Sequence, residues 1–249
     1  MKNVLLIAPH PDDEIVGSYL VIKKILKQKK IVIFFLTNGV IDKQSLWFWE
    51  RKNHKNKVKI RKKEMKDSMN FLGIKKFYIQ DISTRSLKEN IDKTFKKIVR
   101  IKKEHKIDTI FCPAYEGGHQ DHDVANFICS RLKKKCMIYE FSEYNYFKKK
   151  INNNYFFRST EKDKVIFLTS SEKKEKEKLL KIYKSESKNL NYVSFEKESY
   201  RELFDYDYTS PPHKGILFYR RFSLFSWHPK VDSDHPNLIC KKICESKIF

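Results

Sequence analysis

Two hydrophobic periods alternate along the first 140 residues. Residues 2–9 form a short apolar run bounded by polar positions, and residues 14–27 follow with Ile15, Tyr19, Ile22, Ile25 and Leu26 at helical spacing, so the chain opens as strand, loop and helix. Residues 31–36 are continuously apolar and rich in branched side chains, as in a strand buried on both faces of a parallel sheet, and Thr37-Asn38-Gly39 ends them. Residues 40–56 are aromatic and basic without a clean period. Residues 58–72 then read as a helix closed by Gly73. A strand at 77–80, a helix at 87–105 carrying Ile91, Phe95, Ile98 and Ile101, a branched strand at 108–113 and a helix at 121–134 continue the series.

Strands that alternate with helices imply a mainly parallel sheet covered on both faces, and right-handed crossovers make a doubly wound, Rossmann-like α/β arrangement the expected fold. Past residue 140 the pattern loosens into strands at 137–141 and 165–168, a loop at 152–154 and a charged helix at 170–188. No repeat or long linker separates the halves. The expectation is one α/β domain over residues 1–227, with its core in 1–140 and a C-terminal elaboration, followed by a surface-packed tail at 228–249.

Composition narrows the classes of partner. Lys and Arg outnumber Asp and Glu by 53 to 31, a net charge of +22, but only nine of the cations are Arg and the Lys are dispersed over the whole chain. A nucleic-acid reader clusters its cations with aromatics between them, so no nucleic-acid partner is expected, and a basic protein that binds nucleic acid or an anionic surface stands as the less favoured alternative function. The apolar runs fall far short of the roughly 18 residues that span a bilayer, which argues against a transmembrane segment. The N-terminal run is also too short for a secretory signal, so the mature protein is expected to start at Met1. Five Cys, an odd and sparse number, argue for a reducing cytoplasm rather than a disulfide scaffold.

In open α/β sheets ligands bind beyond the carboxyl ends of the strands, and two loops there are rich in chemistry. The first strand ends in Ala8-Pro9-His10-Pro11-Asp12-Asp13-Glu14, and the fourth in Pro113-Ala114-Tyr115-Glu116-Gly117-Gly118-His119-Gln120-Asp121-His122-Asp123. Together they hold three of the eight His and six carboxylates. Imidazole and carboxylate form a donor set that Zn²⁺ accepts, and a catalytic site needs three such ligands, which His10, Asp13 and His122 supply. Fe²⁺ can occupy the same two-His, one-carboxylate set. Asp12 is then free to act as general base on a water. Taken singly, each loop also reads as a hydrogen-bonded turn or a helix cap; their co-occurrence favours the metal reading. A phosphate cradle is disfavoured, because Pro9, Pro11 and two carboxylates stand where such a loop needs glycine and backbone N–H groups.

These two segments, A-P-H-P-D-D-E and G-G-H-Q-D-H-D, resemble the zinc-dependent N-deacetylases named after the phosphatidylinositol-glycan deacetylase and its bacterial LmbE-like relatives. The resemblance spans roughly residues 1–135 and includes Gly17, the L-T-N-G turn ending at Gly39, the R-x-x-E segment at 61–64 and Leu72-Gly73. It departs at Gln120, where Pro is common, and at Val40, where a polar residue is frequent. The resemblance implies a hydrolase that removes an N-acetyl group from an N-acetylglucosamine-type amino sugar, free or lipid- or nucleotide-linked, with zinc as cofactor. His10, Asp13 and His122 match the metal ligands and Asp12 the general base. His119 matches a residue that stabilises the oxyanion or protonates the leaving amine, Asp121 would support the His119 imidazole, and Arg61 matches a sugar-contacting position. A larger N-acyl or thiol-conjugate amide is the alternative substrate.

Other features read more plainly. Trp47, Phe48 and Trp49 are expected to pack on the sheet rather than form a sugar platform. Without the resemblance, Arg61 lies on the solvated face of a Lys-rich helix. Cys112 and Cys136 read as core, and His213 as a turn residue.

Overall fold

The computed structural model describes residues 3–26 and 30–249, so Met1, Lys2 and Lys27, at the ends of the first expected elements, lie outside the described residues. Seven strands build the main sheet: β1 (Asn3–Ala8), β2 (Lys30–Phe35), β3 (Phe77–Ile79), β4 (Thr109–Pro113), β5 (Met137–Ser142), β8 (Lys164–Phe167) and β9 (Lys197–Glu202). Their order is β3-β2-β1-β4-β5-β9-β8. The first five are parallel, whereas β9 pairs antiparallel with both β5 and β8. A separate antiparallel ribbon joins β6 (Tyr144–Asn145) to β7 (Asn152–Asn153), and β7 falls on the residues expected as a loop. The mainly parallel doubly wound sheet is therefore present, with its order reversing between β1 and β4. That reversal opens a crevice beyond the ends of those two strands.

Side-chain alternation on β1 divides the core into two layers. Val4, Leu6 and Ala8 face α1 (Asp13–Val16), α2 (Tyr19–Leu26), α3 (His54–Leu72) and α6 (Ser170–Leu180), while Leu5 and Ile7 face α4 (Ile91–Glu104), α5 (Gln120–Ser130) and α7 (Pro236–Cys244). Helix α3 stops where the sequence indicates. Gly73 takes φ 71° and its N–H reaches back to the carbonyls of Met69 and Asn70. Helix α6 begins on a reciprocal cap between Thr169 and Glu172 but ends at Leu180, eight residues before the expected boundary. The chain turns there to bury Tyr183, whose hydroxyl donates to Glu14 Oε1 at 2.5 Å.

The strand β9 escapes a hydrophobicity reading because its sequence is Lys-Glu-Ser-Tyr-Arg-Glu. Its inward polar groups are paired instead. Glu198 meets Lys176 at 2.6 Å and Arg201 meets Glu140 at 2.7 Å, all four buried. Residues 228–249, expected as a surface-packed tail, contribute to the core: α7 buries Ile239, Cys240 and Ile243 against the α4/α5 layer. Cys112 lies in the core as expected, Cys136 is half-buried, and all five thiols are free. His213 sits in the bend at 212–215, as expected of a turn residue, and is buried against the rings of Phe147 and Phe157. No helix among the described residues is long and apolar enough to cross a membrane.

Candidate active site

The two loops meet in the crevice. His10 Nδ1, Asp13 Oδ2 and His122 Nε2 form a near-equilateral triangle with edges of 3.2, 3.3 and 3.3 Å. Tetrahedral ligands at 2.0–2.1 Å from a zinc-sized ion stand about 3.3 Å apart, so the donor set fits such an ion without rearrangement. All three residues are buried. Charge complementarity among them is strong, with the two imidazoles holding the Asp13 carboxyl well below its ordinary range against the opposing effect of burial. The far side of His10 is also engaged. Its Nε2 lies 3.0 Å from Asp121 Oδ2 and 2.9 Å from the Thr84 hydroxyl, the carboxylate–imidazole pairing that fixes the orientation of a metal-binding histidine.

Asp12 occupies the sharpest point of the first loop. Its backbone takes φ 125°, a left-handed value at the start of α1, and Glu14 Oε2 holds it there by accepting its N–H at 2.9 Å. Glu14 is itself fixed by the hydroxyls of Ser68 and Tyr183. Burial pushes the Asp12 carboxyl up to about 8, and the Arg61 guanidinium, 2.7 Å away, pulls against that shift. Arg61 also donates to the Pro11 carbonyl at 2.5 Å and lies over the Tyr183 ring. Gly39, at φ 73°, leaves the space this requires, since a Cβ there would come within 2.9 Å of Arg61 Nε and 3.0 Å of Pro11 Cδ.

His119 is the N-cap of α5. Its Nδ1 accepts the Asp121 backbone N–H at 3.1 Å, so the neutral imidazole carries its proton on Nε2. Burial, together with the His10 charge, holds His119 well below its ordinary pKa. His10 and Asp13 of the triangle, with Asp12 and His119, border one cavity of about 1120 Å³, in which Tyr144, Tyr192 and Phe218 form an aromatic wall.

The family model described as PIG-L, GlcNAc-PI de-N-acetylase, matches residues 5–133, just over half of the chain. The chain belongs to the PIG-L family. No curated protein matches it. Among solved structures, a deacetylase of the teicoplanin biosynthesis pathway, also solved in a zinc-inhibited form, is similar at 12% identity over 83% of this chain and 99% of that one, with TM-score 0.63. The N,N'-diacetylchitobiose deacetylase of Pyrococcus horikoshii is similar at 19% identity over 81% of this chain and 83% of that one, with TM-score 0.57. A 4-carboxy-2-hydroxymuconate hydratase of Pseudomonas putida shares the fold at 13% identity, 83% and 98% coverage and TM-score 0.54. At such identities these likenesses establish the fold alone.

Within this PIG-L chain five of the seven residues singled out from the sequence, His10, Asp12, Asp13, Arg61 and His119, line the cavity, and Asp121 and His122 contact them through His10 and Asp13, with two differences of contact. The Asp121 carboxylate serves His10, and its Oδ2 lies 3.7 Å from His119 Nδ1, beyond hydrogen-bond distance. Asp121 also accepts the Arg85 backbone N–H at 2.7 Å, which clamps the 84–87 loop under the site. Arg61 is turned inward onto Asp12 rather than outward to solvent, because three carboxylates, Asp12, Glu64 and Glu186, surround its 2% exposed side chain, which also lines the cavity.

Nothing in the residue pattern marks Thr84. Glu143 was within reach of the strand-end rule, since it follows β5 directly. Its buried carboxyl lies 3.7 Å from His122 Nδ1, and neither of its oxygens has a hydrogen-bond partner among the described residues. Gln120, where the resemblance leads one to expect Pro, donates to Asp232 at 2.6 Å and Asp234 at 2.9 Å, fastening the C-terminal loop beside the site.

Proposed function

We propose that this chain is a divalent-metal-dependent hydrolase that removes the N-acetyl group from an amino sugar, free or carried on a larger aglycone. The observation supporting this reading is the His10, Asp13 and His122 triangle set at a single cavity whose lining includes His10, Asp13, Asp12 and His119. When bound by those three residues, an ion such as Zn²⁺ supplies Lewis acidity and brings a water pKa to about 7. The remaining work falls to the chain. Asp12, held in place by Arg61 and by the strained turn on Glu14, takes the proton of the attacking water and passes it to the leaving nitrogen. His119, neutral and with Nε2–H free of any protein partner in the hydrogen bonds described, donates to the oxyanion as the acyl carbon becomes tetrahedral. A neutral donor suffices here, so a cationic His119 is not needed. Tyr144, Tyr192 and Phe218 offer apolar ring surface on which a sugar face can rest.

The test is acetate release from a panel of N-acetylglucosamine conjugates, combined with metal analysis of the purified protein. Release that stops on chelation and returns with Zn²⁺ or Fe²⁺ is the expected outcome. Release of larger acyl groups with acetyl conjugates left intact would instead assign the site to a different amide, and no release with any metal would remove the reading.

A further inference from the structure

Six consecutive residues, 222–227, are exposed, and four of them are large and apolar. Phe222 is 54% exposed, Leu224 90%, Phe225 54% and Trp227 68%. A second segment, residues 46–49, lies against them. Trp47 stacks on Trp49 at 5.1 Å and lies 6.5 Å from Trp227, while Phe48, 75% exposed, stands edge-on to Trp49. The expected packing of these aromatics on the sheet therefore does not occur. Leu46 beneath one segment and Phe222 on the other both line the active-site cavity, so the patch forms part of the cavity rim.

Soluble chains scatter exposed apolar residues singly; a contiguous cluster of aromatic and aliphatic tips marks a contact surface. Its composition distinguishes among occupants. Residues 220–230 contain Arg220, Arg221 and Lys230 and no acidic residue, and Lys43, Arg51 and Lys52 flank the other segment against Asp42 and Glu50. A basic rim on a chain of charge +22 repels a second copy of itself. A sugar polymer stacks on flat ring faces and has no use for a projecting Leu224. Trp and Phe at a polar boundary, an aliphatic tip beyond them and cations around them match the chemistry of an interfacial lipid anchor.

We propose that residues 46–49 and 222–227 form a docking surface that seats the cavity rim on an anionic lipid bilayer. The surface binds by inserting Leu224, Phe225 and Trp227 at headgroup depth while the Lys and Arg side chains pair with anionic headgroups. This inference goes beyond the hydrolase reading and does not depend on it, because its test reads no hydrolysis.

The full chain is sedimented with vesicles of phosphatidylcholine alone and of phosphatidylcholine mixed with phosphatidylglycerol, and its Trp fluorescence is followed in parallel. The expected result is at least about tenfold more binding to the anionic vesicles, a blue-shifted emission, and weakening by salt. The double substitution Leu224→Ser with Phe225→Ser lies wholly on exposed positions and should cut vesicle binding by about tenfold. Phe167→Ser, equally exposed but on the edge strand β8, should leave binding unchanged. Absence of binding to either vesicle, or full binding by the double variant, overturns the proposal. So does a concentration-dependent dimer that the same double substitution dissolves, which would assign the surface to a second copy.

Discussion

Asp12 and Asp13 are neighbours in sequence with opposite electrostatic settings. Asp13 faces two imidazoles and stays ionised, whereas burial raises Asp12 and a single guanidinium restrains it. That contrast separates a ligand from a base. Replacing Asp12 by Asn keeps the turn and the Arg61 contact but removes the proton acceptor, so kcat should fall about 10²- to 10⁴-fold while the metal content of the purified variant stays at the wild-type level. Asp121 acts at one remove. Its carboxylate orients His10, and Asp121→Asn should weaken metal affinity about 10- to 100-fold, read by competition with a chelator, with activity restored at saturating metal. Much of this was legible in the sequence, because both loops announce their chemistry in residue type and sit at strand ends. The partnership of Asp121 was not, since His10 lies 111 positions away and His119 only two. Nearness along the chain misdirects such an assignment.

At the level of elements, the loop between β4 and α5 and the ribbon following β5 are joined by a buried carboxyl. Glu116 accepts from Ser142 Oγ at 3.0 Å, the Glu143 N–H at 2.9 Å and Asn145 Nδ2 at 3.1 Å. Burial nevertheless dominates and pushes its pKa up from 4.5 to about 7. The native state then holds a proton that the unfolded chain releases. Its stabilising contribution is complete below about pH 4.5 and is lost as pH rises through about 7. Glu116→Gln should flatten that part of the curve, and thermal unfolding of wild type and variant from pH 5 to 8 measures it; parallel curves would remove Glu116 as the cause. The elements themselves divide by how they bury polar groups. Strands β1, β2 and β4 are apolar and declare themselves, and α4 shows a clear face of Ile91, Ile98 and Ile101. Strand β9 does not, because ion pairs to Lys176 and Glu140 from other elements neutralise its charges, and those partners are invisible until the fold brings them together.

Over the whole molecule, the site draws on segments far from its two loops in sequence. Tyr183 and Ser185 brace Glu14 and Glu64 from one side, and Arg85 donates to the carbonyls of Pro229, Lys230 and Val231 on the other. Removing residues 228–249 would strip Ile239 and Ile243 from the core and release Gln120 from Asp232. The shortened chain should lose about 3 kcal/mol or more, a fall in Tm of about 10 °C, measurable by calorimetry beside the full chain. Composition pointed to none of this, because a short Lys-rich helix at a terminus looks the same whether it covers a core or trails in solvent. The long reach of these contacts also bears on synthesis. During translation both ligand-bearing loops emerge more than a hundred residues before Asp232, so the clasp on Gln120 can close only after those loops have left the ribosome.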